Sequence, residues 1–197
     1  MGVSQTACEK PLPQSDKIEM SMQILETKRL VLRPWRESDA EALFKYASDP
    51  DVGPRAGWPP HKSVDESLEI IRTVFSGKGM WAVELKETSE VIGSIGYLAA
   101  GSSNLDIDED QCEIGYWIAK PYWNKGLCTE ALETVIDYCF NVKGFSVLWS
   151  DYFPDNPASG RVMEKCGFVD TGKETLCPGL EIGGDKPVKV MRLNYVL

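Results

Sequence analysis

The sequence predicts one mixed α/β domain with the element order β-α-α-β-β-β-α-β-α-β-β. Three observations carry that prediction. A strand-like run, Cys112–Ile118, turns through Gly126 directly into the most regular amphipathic helix of the chain. Two capping boxes, Ser38-Asp39-Ala40-Glu41 and Ser63-Val64-Asp65-Glu66, each open a helical pattern ahead of two strand-like runs. No internal repeat is present.

Residues 1–22 are polar, carry Pro11 and Pro13 and show no periodicity: a tail ahead of a domain over 23–197. Met1–Thr6 fits the myristoylation pattern, but no polybasic patch accompanies it, so no membrane anchor is expected. A first strand covers Glu26–Pro34. The first capping box starts a helix with Ala40, Leu43, Phe44 and Ala47 on one face, ended by Asp49-Pro50. The second opens a helix carrying Val64, Leu68, Ile71, Val74 and Phe75, stopped near Gly77. Between them Val52–His61 is a stiff loop displaying aromatic and cationic groups. Strands follow at Met80–Lys86 and Val91–Leu98, joined by the polar turn Glu87–Glu90.

The acidic loop Ala99–Gln111 sets Asp106, Asp108 and Asp110 at calcium-loop spacing. Gln111 stands where that loop needs Gly, and Trp117 where it needs a bidentate Glu, so no metal site is expected. After Cys112–Ile118, the residues Leu127, Ala131, Leu132, Val135, Ile136, Cys139 and Phe140 form one helix face, with Gly144 as its stop. A strand at Ser146–Tyr152, a short helix at Ala158–Cys166 and strands at Phe168–Thr175 and Val188–Tyr195 complete the order. The loop Cys177–Pro187 joins the last two strands.

With 197 residues, 43% apolar and 26% charged, the chain has the composition of a soluble domain with a sizeable core. It has no membrane-length apolar run and no secretory h-region. Six cysteines without C-x-x-C spacing read as reduced thiols in the cytoplasm. A net charge of −9 argues against nucleic-acid binding. It is compatible with a cationic amine or basic peptide as substrate, though solubility alone accounts for it.

The turn Tyr122-Trp123-Asn124-Lys125-Gly126-Leu127-Cys128-Thr129-Glu130-Ala131 aims unpaired N–H groups and a helix dipole at one point, as phosphate sites do. It is not a P-loop, because Lys125 precedes a single glycine, and it lacks the three glycines of the dinucleotide fingerprint. It resembles motif A of the GNAT acetyltransferase superfamily, in the Tyr-Trp-x-Lys-Gly-x-x-Thr-Glu-Ala form of the branch with ribosomal-protein N-terminal (alanine) acetyltransferases. Trp123 replaces the usual Gln or Arg, and Cys128 the usual Gly or Ala. Glu26–Pro34, Glu113–Ile118 and Asn156-Pro157-Ala158-Ser159 through Glu164-Lys165-Cys166-Gly167-Phe168 resemble further segments of that branch in order and spacing. The resemblance runs from Glu26 to the C-terminus and implies a GNAT-like sheet whose fourth and fifth strands splay apart.

It also implies acetyl-CoA as cosubstrate. The pyrophosphate would lie on the loop formed by Trp123, Asn124, Lys125, Gly126, Leu127, Cys128 and Thr129. Pantetheine would run along the backbone of Trp117, Ile118 and Ala119, with the thioester carbonyl on the N–H of a bulge at Ile118. Asn156 would touch the pantetheine arm, and Ser159 would donate to the departing thiolate, since Met163 occupies the place where many relatives carry a Tyr acid. A competing role for Ser159 is as a helix cap. Glu113 is the candidate base, because it shares a strand face with Gly115 and Trp117 and so looks toward the cleft. His61, the lone histidine, reads as a surface residue of its loop. A Cys128 acyl-enzyme lacks a nearby His or Asp partner. Trp35, Trp58 and the Cys177–Pro187 loop are expected on the acceptor side.

The expected function is therefore acetyl transfer from acetyl-CoA to a primary amine, on a protein N-terminus or a small molecule, by direct attack. The protein would work as a monomer or homodimer, without nucleic acid, membrane or metal. Met163 and Cys128 leave open a catalytically weak CoA-binding regulatory module, which CoA release with an amine panel separates from an enzyme. A purely structural protein would show no acetyl-CoA shift in melting temperature.

Overall fold

The computed structural model describes residues 22–77, 79–177 and 185–195. The expected tail, Met22 apart, lies outside them, as does 178–184 of the expected last loop. The single strand expected at Glu26–Pro34 is two, β1 (Leu25–Glu26) and β2 (Leu30–Pro34), paired antiparallel. Thr27 makes the turn: its Oγ1 accepts the Leu30 N–H at 2.8 Å while its own N–H bonds the Leu30 carbonyl at 3.0 Å. A Thr side chain that closes a turn on the backbone competes with a continuous strand.

The helix α1 (Ala40–Ala47) is not capped by Ser38 as expected. Asp39 holds the N-cap position without a side-chain cap bond; its carboxylate instead accepts the Arg36 N–H at 2.8 Å and a bidentate pair from buried Arg33 at 2.7 and 2.9 Å. Arg33 also donates to Glu84 at 2.6 Å, so one guanidinium ties β2 to α1 and to β3 (Met80–Leu85). In α2 (Val64–Thr73) the expected cap is present, with Ser63 Oγ accepting the Glu66 N–H at 3.1 Å. Val64 and Val74 are exposed, and Ile71 is the buried anchor of that helix.

The remaining elements follow the expected order: β4 (Glu90–Ala99), β5 (Gln111–Ile118), α3 (Leu127–Asn141), β6 (Val147–Tyr152), α4 (Pro157–Lys165), β7 (Val169–Cys177) and β8 (Lys186–Asn194). The end of α3 wraps around Gly144, with the Phe145 N–H reaching back to the Cys139 carbonyl at 3.1 Å. Among the described residues the strands form one sheet in the order β1-β2-β3-β4-β5-β6-β8-β7, and β5–β6 is its parallel pair. Period-2 alternation sorts the sheet's side chains to two faces. Leu30, Leu32, Trp81, Val83, Cys112 and Ile114 pack with Leu132, Val135 and Cys139 of α3 and with Met163 of α4. Ala82, Val91 and Trp117 pack on the other face with Leu43 and Ala47 of α1 and Ile71 of α2. No helix of the described residues is long and apolar enough to cross a membrane.

Candidate active site

Between β5 and α3 the chain makes a short 3-10 turn, Lys120–Tyr122, and then enters left-handed backbone at Asn124 (φ 59°) and Gly126 (φ 73°). Gly126 takes that conformation without steric strain and stands directly before α3. The first bond of the helix runs from the Glu130 N–H to the Gly126 carbonyl at 3.1 Å. The N–H groups of Leu127, Cys128 and Thr129 therefore have no helical acceptor and project with the positive end of the dipole. A distant turn steadies this loop. Glu130 accepts from Thr27 Oγ1 at 2.5 Å, the Arg29 N–H at 2.8 Å and Arg29 Nε at 2.6 Å, while Arg29 Nη1 donates to the Lys125 carbonyl at 2.9 Å. Burial opposes ionisation of Glu130, yet these donors outweigh it and hold the carboxyl below its usual range. A Cβ at Gly126 would meet only the Arg29 guanidinium, at 3.6 Å, so the space ahead of the amides is open on the protein side. This donor set fits a pyrophosphate.

Next to the loop the sheet parts. β5 and β6 pair only through Gln111–Glu113 and Val147–Trp149. Beyond them Ser150 Oγ reaches the Ile114 carbonyl at 2.8 Å, which shows that Ile114 turns its backbone toward β6. By alternation Tyr116 and Ile118 do the same, whereas the Ala119 N–H bonds the Ile92 carbonyl at 2.8 Å on the β4 side. Of Trp117, Ile118 and Ala119, only Ile118 thus offers its N–H to the gap. The expected bulge is absent: the β4–β5 register is unbroken from Cys112 to Ile118. Trp123 folds back so that its Nε1 donates to the Ile118 carbonyl at 2.5 Å, and Arg55 lies over its ring. Its indole N–H is therefore spent within the protein.

Several polar groups flank the gap. Ser159 is not a helix cap. Its Oγ donates to Tyr116 Oη at 3.1 Å, and that phenol donates to the Ser159 carbonyl at 3.0 Å. Burial drives the Tyr116 pKa well above its ordinary value, so the phenol keeps its proton. Asn156 precedes α4 and donates through Nδ2 to the Arg55 carbonyl at 3.1 Å, tying α4 to the α1–α2 loop. On the opposite face Glu113 is buried, one oxygen held by Ser103 Oγ at 2.6 Å and the Asn104 N–H at 3.3 Å. Asp151, on β6, shares that face and is half-buried, and its carboxylate has no hydrogen-bond or ion-pair partner among the described residues. Burial, reinforced by the charge of Glu113, pushes its pKa up to about 7. Burial also raises the Cys128 thiol, which removes the thiolate that a covalent route would use.

A cavity of about 300 Å³ opens on this face, between the sheet and α1–α2. Gly115, Tyr116 and Trp117 form its β5 wall. Trp58 lines it, with its ring edge-on to Trp117 at 5.8 Å; a Cβ on Gly53 would strike the Trp58 indole at 2.5 Å, so only glycine lets it settle there. His61, expected at the surface, is a lining residue instead: its N–H bonds the Ala47 carbonyl at 3.0 Å, and Nδ1 meets Ser67 Oγ at 2.8 Å. Trp35 is not in the lining. It stacks behind Phe75 at 4.8 Å and donates to Ser94 Oγ, and both of those residues face the cavity.

Residues 29–169 match the Acetyltransferase (GNAT) domain family. The chain belongs to the GNAT acetyltransferases. It is 34% identical over 154 residues, 76% of this chain and 84% of the other, to the uncharacterized N-acetyltransferase YoaA of Bacillus subtilis. Its fold is similar to the ribosomal-protein-S5-alanine acetyltransferase of Vibrio fischeri (TM-score 0.66, 20% identity, 87% of this chain and 96% of that one). It is also similar to Mycobacterium smegmatis RimJ in complex with CoA-disulfide (TM-score 0.68, 22% identity, 87% of each chain). The protein is thus an acetyl-CoA-dependent acyltransferase. Within this acetyltransferase, Tyr116, Asp151 and His61 are the groups that sequence reasoning passed over. The strand alternation of β5 held the signal for Tyr116; Asp151 and His61 gain meaning only once separate elements meet.

Proposed function

We propose that the protein moves the acetyl group of acetyl-CoA to a primary amine by direct attack. The observation that carries this is that β5, which parts from β6 after Glu113, is followed by the free amides of α3 and supplies Gly115, Tyr116 and Trp117 to the wall of the cavity. The amides of Lys125 to Thr129 hold the pyrophosphate, and the Ile118 N–H polarises the thioester carbonyl. Glu113 draws a proton from the incoming ammonium, directly or through water, and the amine nitrogen then bonds the carbonyl carbon. As the carbon–sulfur bond breaks, Ser159 Oγ turns its hydrogen from Tyr116 Oη to the developing thiolate, and the second proton lost by the attacking nitrogen passes to the sulfur, which leaves as the free thiol. A second reading gives the base role to Asp151, because its carboxylate is unpartnered whereas one Glu113 oxygen is already held. RimJ, whose fold is similar, is in complex with CoA-disulfide, which is in keeping with a CoA cosubstrate here. The four free thiols among the described residues suit the cytoplasmic setting we propose, as monomer or homodimer.

The test is thiol release from acetyl-CoA with a panel of amines and peptides, run for wild type, Ser159→Ala and Tyr116→Phe. Each variant should slow single-turnover transfer by roughly tenfold to a hundredfold, about 1–3 kcal/mol of lost hydrogen bonding. No thiol release above the buffer rate with any amine would leave a CoA-binding module.

A further inference from the structure

The walls of the cavity specify what the amine is attached to. Leu43, Trp58, Ile70, Phe75, Met80 and Trp117 make most of its surface, and no Asp, Glu, Lys or Arg of the described residues lines it. Its few polar groups are nearly all engaged. Ser94 Oγ accepts from Trp35 Nε1 at 3.3 Å and donates to the Trp81 carbonyl at 3.1 Å. His61 is tied through Nδ1 to Ser67, and burial lowers its pKa, so the ring is neutral. Trp117 Nε1 is buried beneath the wall and meets no hydrogen-bond partner among the described residues.

Resting on the acetyl-transfer reading, we infer that the acceptor is a primary amine carried on an apolar body the size of an aromatic ring. A volume near 300 Å³ stands at the lower end of small-ligand pockets, enough for one ring and a short arm. A polyamine would bring a second cation to a wall with no carboxylate and a neutral imidazole. A basic peptide would bring main-chain groups that find few partners. A small hydrophilic amine would leave the apolar wall wet. The amine itself lies at the Gly115 end, toward the face that bears Glu113 and Asp151, while the ring enters between Trp58 and Phe75.

The test is calorimetric binding of phenethylamine, tyramine, ethanolamine, spermidine and a basic tetrapeptide to the full chain saturated with CoA. The two aromatic amines should bind at least tenfold more tightly than the other three. Val74→Glu puts a carboxylate on the lining at an exposed helical position, 53% accessible, where folding tolerates it. It should narrow or reverse the ranking in favour of spermidine, and Phe75→Ala should weaken both aromatic amines. Spermidine, ethanolamine or the peptide binding as well as the aromatic amines to the wild type, or a ranking that Val74→Glu leaves unchanged, overturns the inference. Because binding to the CoA complex needs no turnover, the two proposals fail separately: aromatic amines that bind without thiol release overturn acetyl transfer alone, and turnover confined to hydrophilic amines overturns the acceptor class alone.

Discussion

Asp151 and Glu113 differ in what surrounds their carboxylates. Glu113 has two protein donors on one oxygen, whereas Asp151 has none and its pKa stands at about 7. A folded-state pKa raised above the unfolded value near 3.8 means that the native state holds the proton more tightly between those values. The stability this contributes is complete below about pH 4 and is lost as pH rises through about 7. Asp151→Asn should therefore stabilise the protein at pH 8, by up to about 2 kcal/mol after allowance for partial solvent contact, and the gain should fade toward pH 4. Thermal melts across that range check the sign. If Asp151 is the base, kcat/KM of wild type rises through about pH 7 and Asp151→Asn loses that limb. Glu113→Gln then only moves the limb downward, because it removes the secondary cause of the shift and leaves burial in place. If Glu113 is the base, Glu113→Gln should instead lower kcat by roughly 10²–10⁴ with the limb of Asp151 absent from the profile.

Among the elements, α3 was the most legible in the sequence and the most informative. Its apolar spacing, the glycine before it and the Gly144 stop are local facts, and each has its counterpart in the backbone. The first strand was misread because Thr27 makes its second contact with Glu130, a residue 103 positions away, and the turn exists to reach it. Ser38 was misread as a cap because the local pattern is satisfied on paper. Asp39 wins because a buried guanidinium, Arg33, needs a bidentate carboxylate nearby. Of the candidate site, the glycine turn before α3 and Ser159 stand out in motif spacing, whereas the cavity does not, since its walls are drawn from α1, α2, the loop between them and three strands. The loop yields its own prediction. Gly126→Asp places a carboxylate against bound phosphates and forces a Cβ into left-handed backbone. Acetyl-CoA affinity should fall at least tenfold while circular dichroism stays native, and an unchanged affinity in the folded variant would sink the loop assignment.

At the scale of the molecule, the gap between β5 and β6 makes the sheet two pieces. The strands β1 to β5 carry α1 and α2 on one face and α3 on the other, while β6, β8 and β7 form a smaller piece with α4 against it. Three residues on each of β5 and β6 form the only ladder joining the pieces among the described residues. Side-chain links supplement it, from Ser150 to Ile114 and from Tyr116 to Ser159. Few hydrogen bonds across a boundary make it a place where local opening has a low free energy. A cosubstrate seated in that gap would touch both pieces, the α3 amides on one side and α4 on the other, and would act as the missing stretch of ladder. Binding confined to the native state stabilises it by about 2.7 kcal/mol at a hundredfold excess over Kd, which raises Tm by roughly 5–10 °C for a chain of this size. The gain should not be uniform. Amide exchange should slow most at Leu127 to Thr129, at Ile118 and along the Ser150–Tyr152 end of β6, with little change in β1 to β3. Hydrogen-exchange mass spectrometry with and without acetyl-CoA reads this directly. Protection spread evenly over the sheet, or confined to α1 and α2, would place the cosubstrate outside the gap.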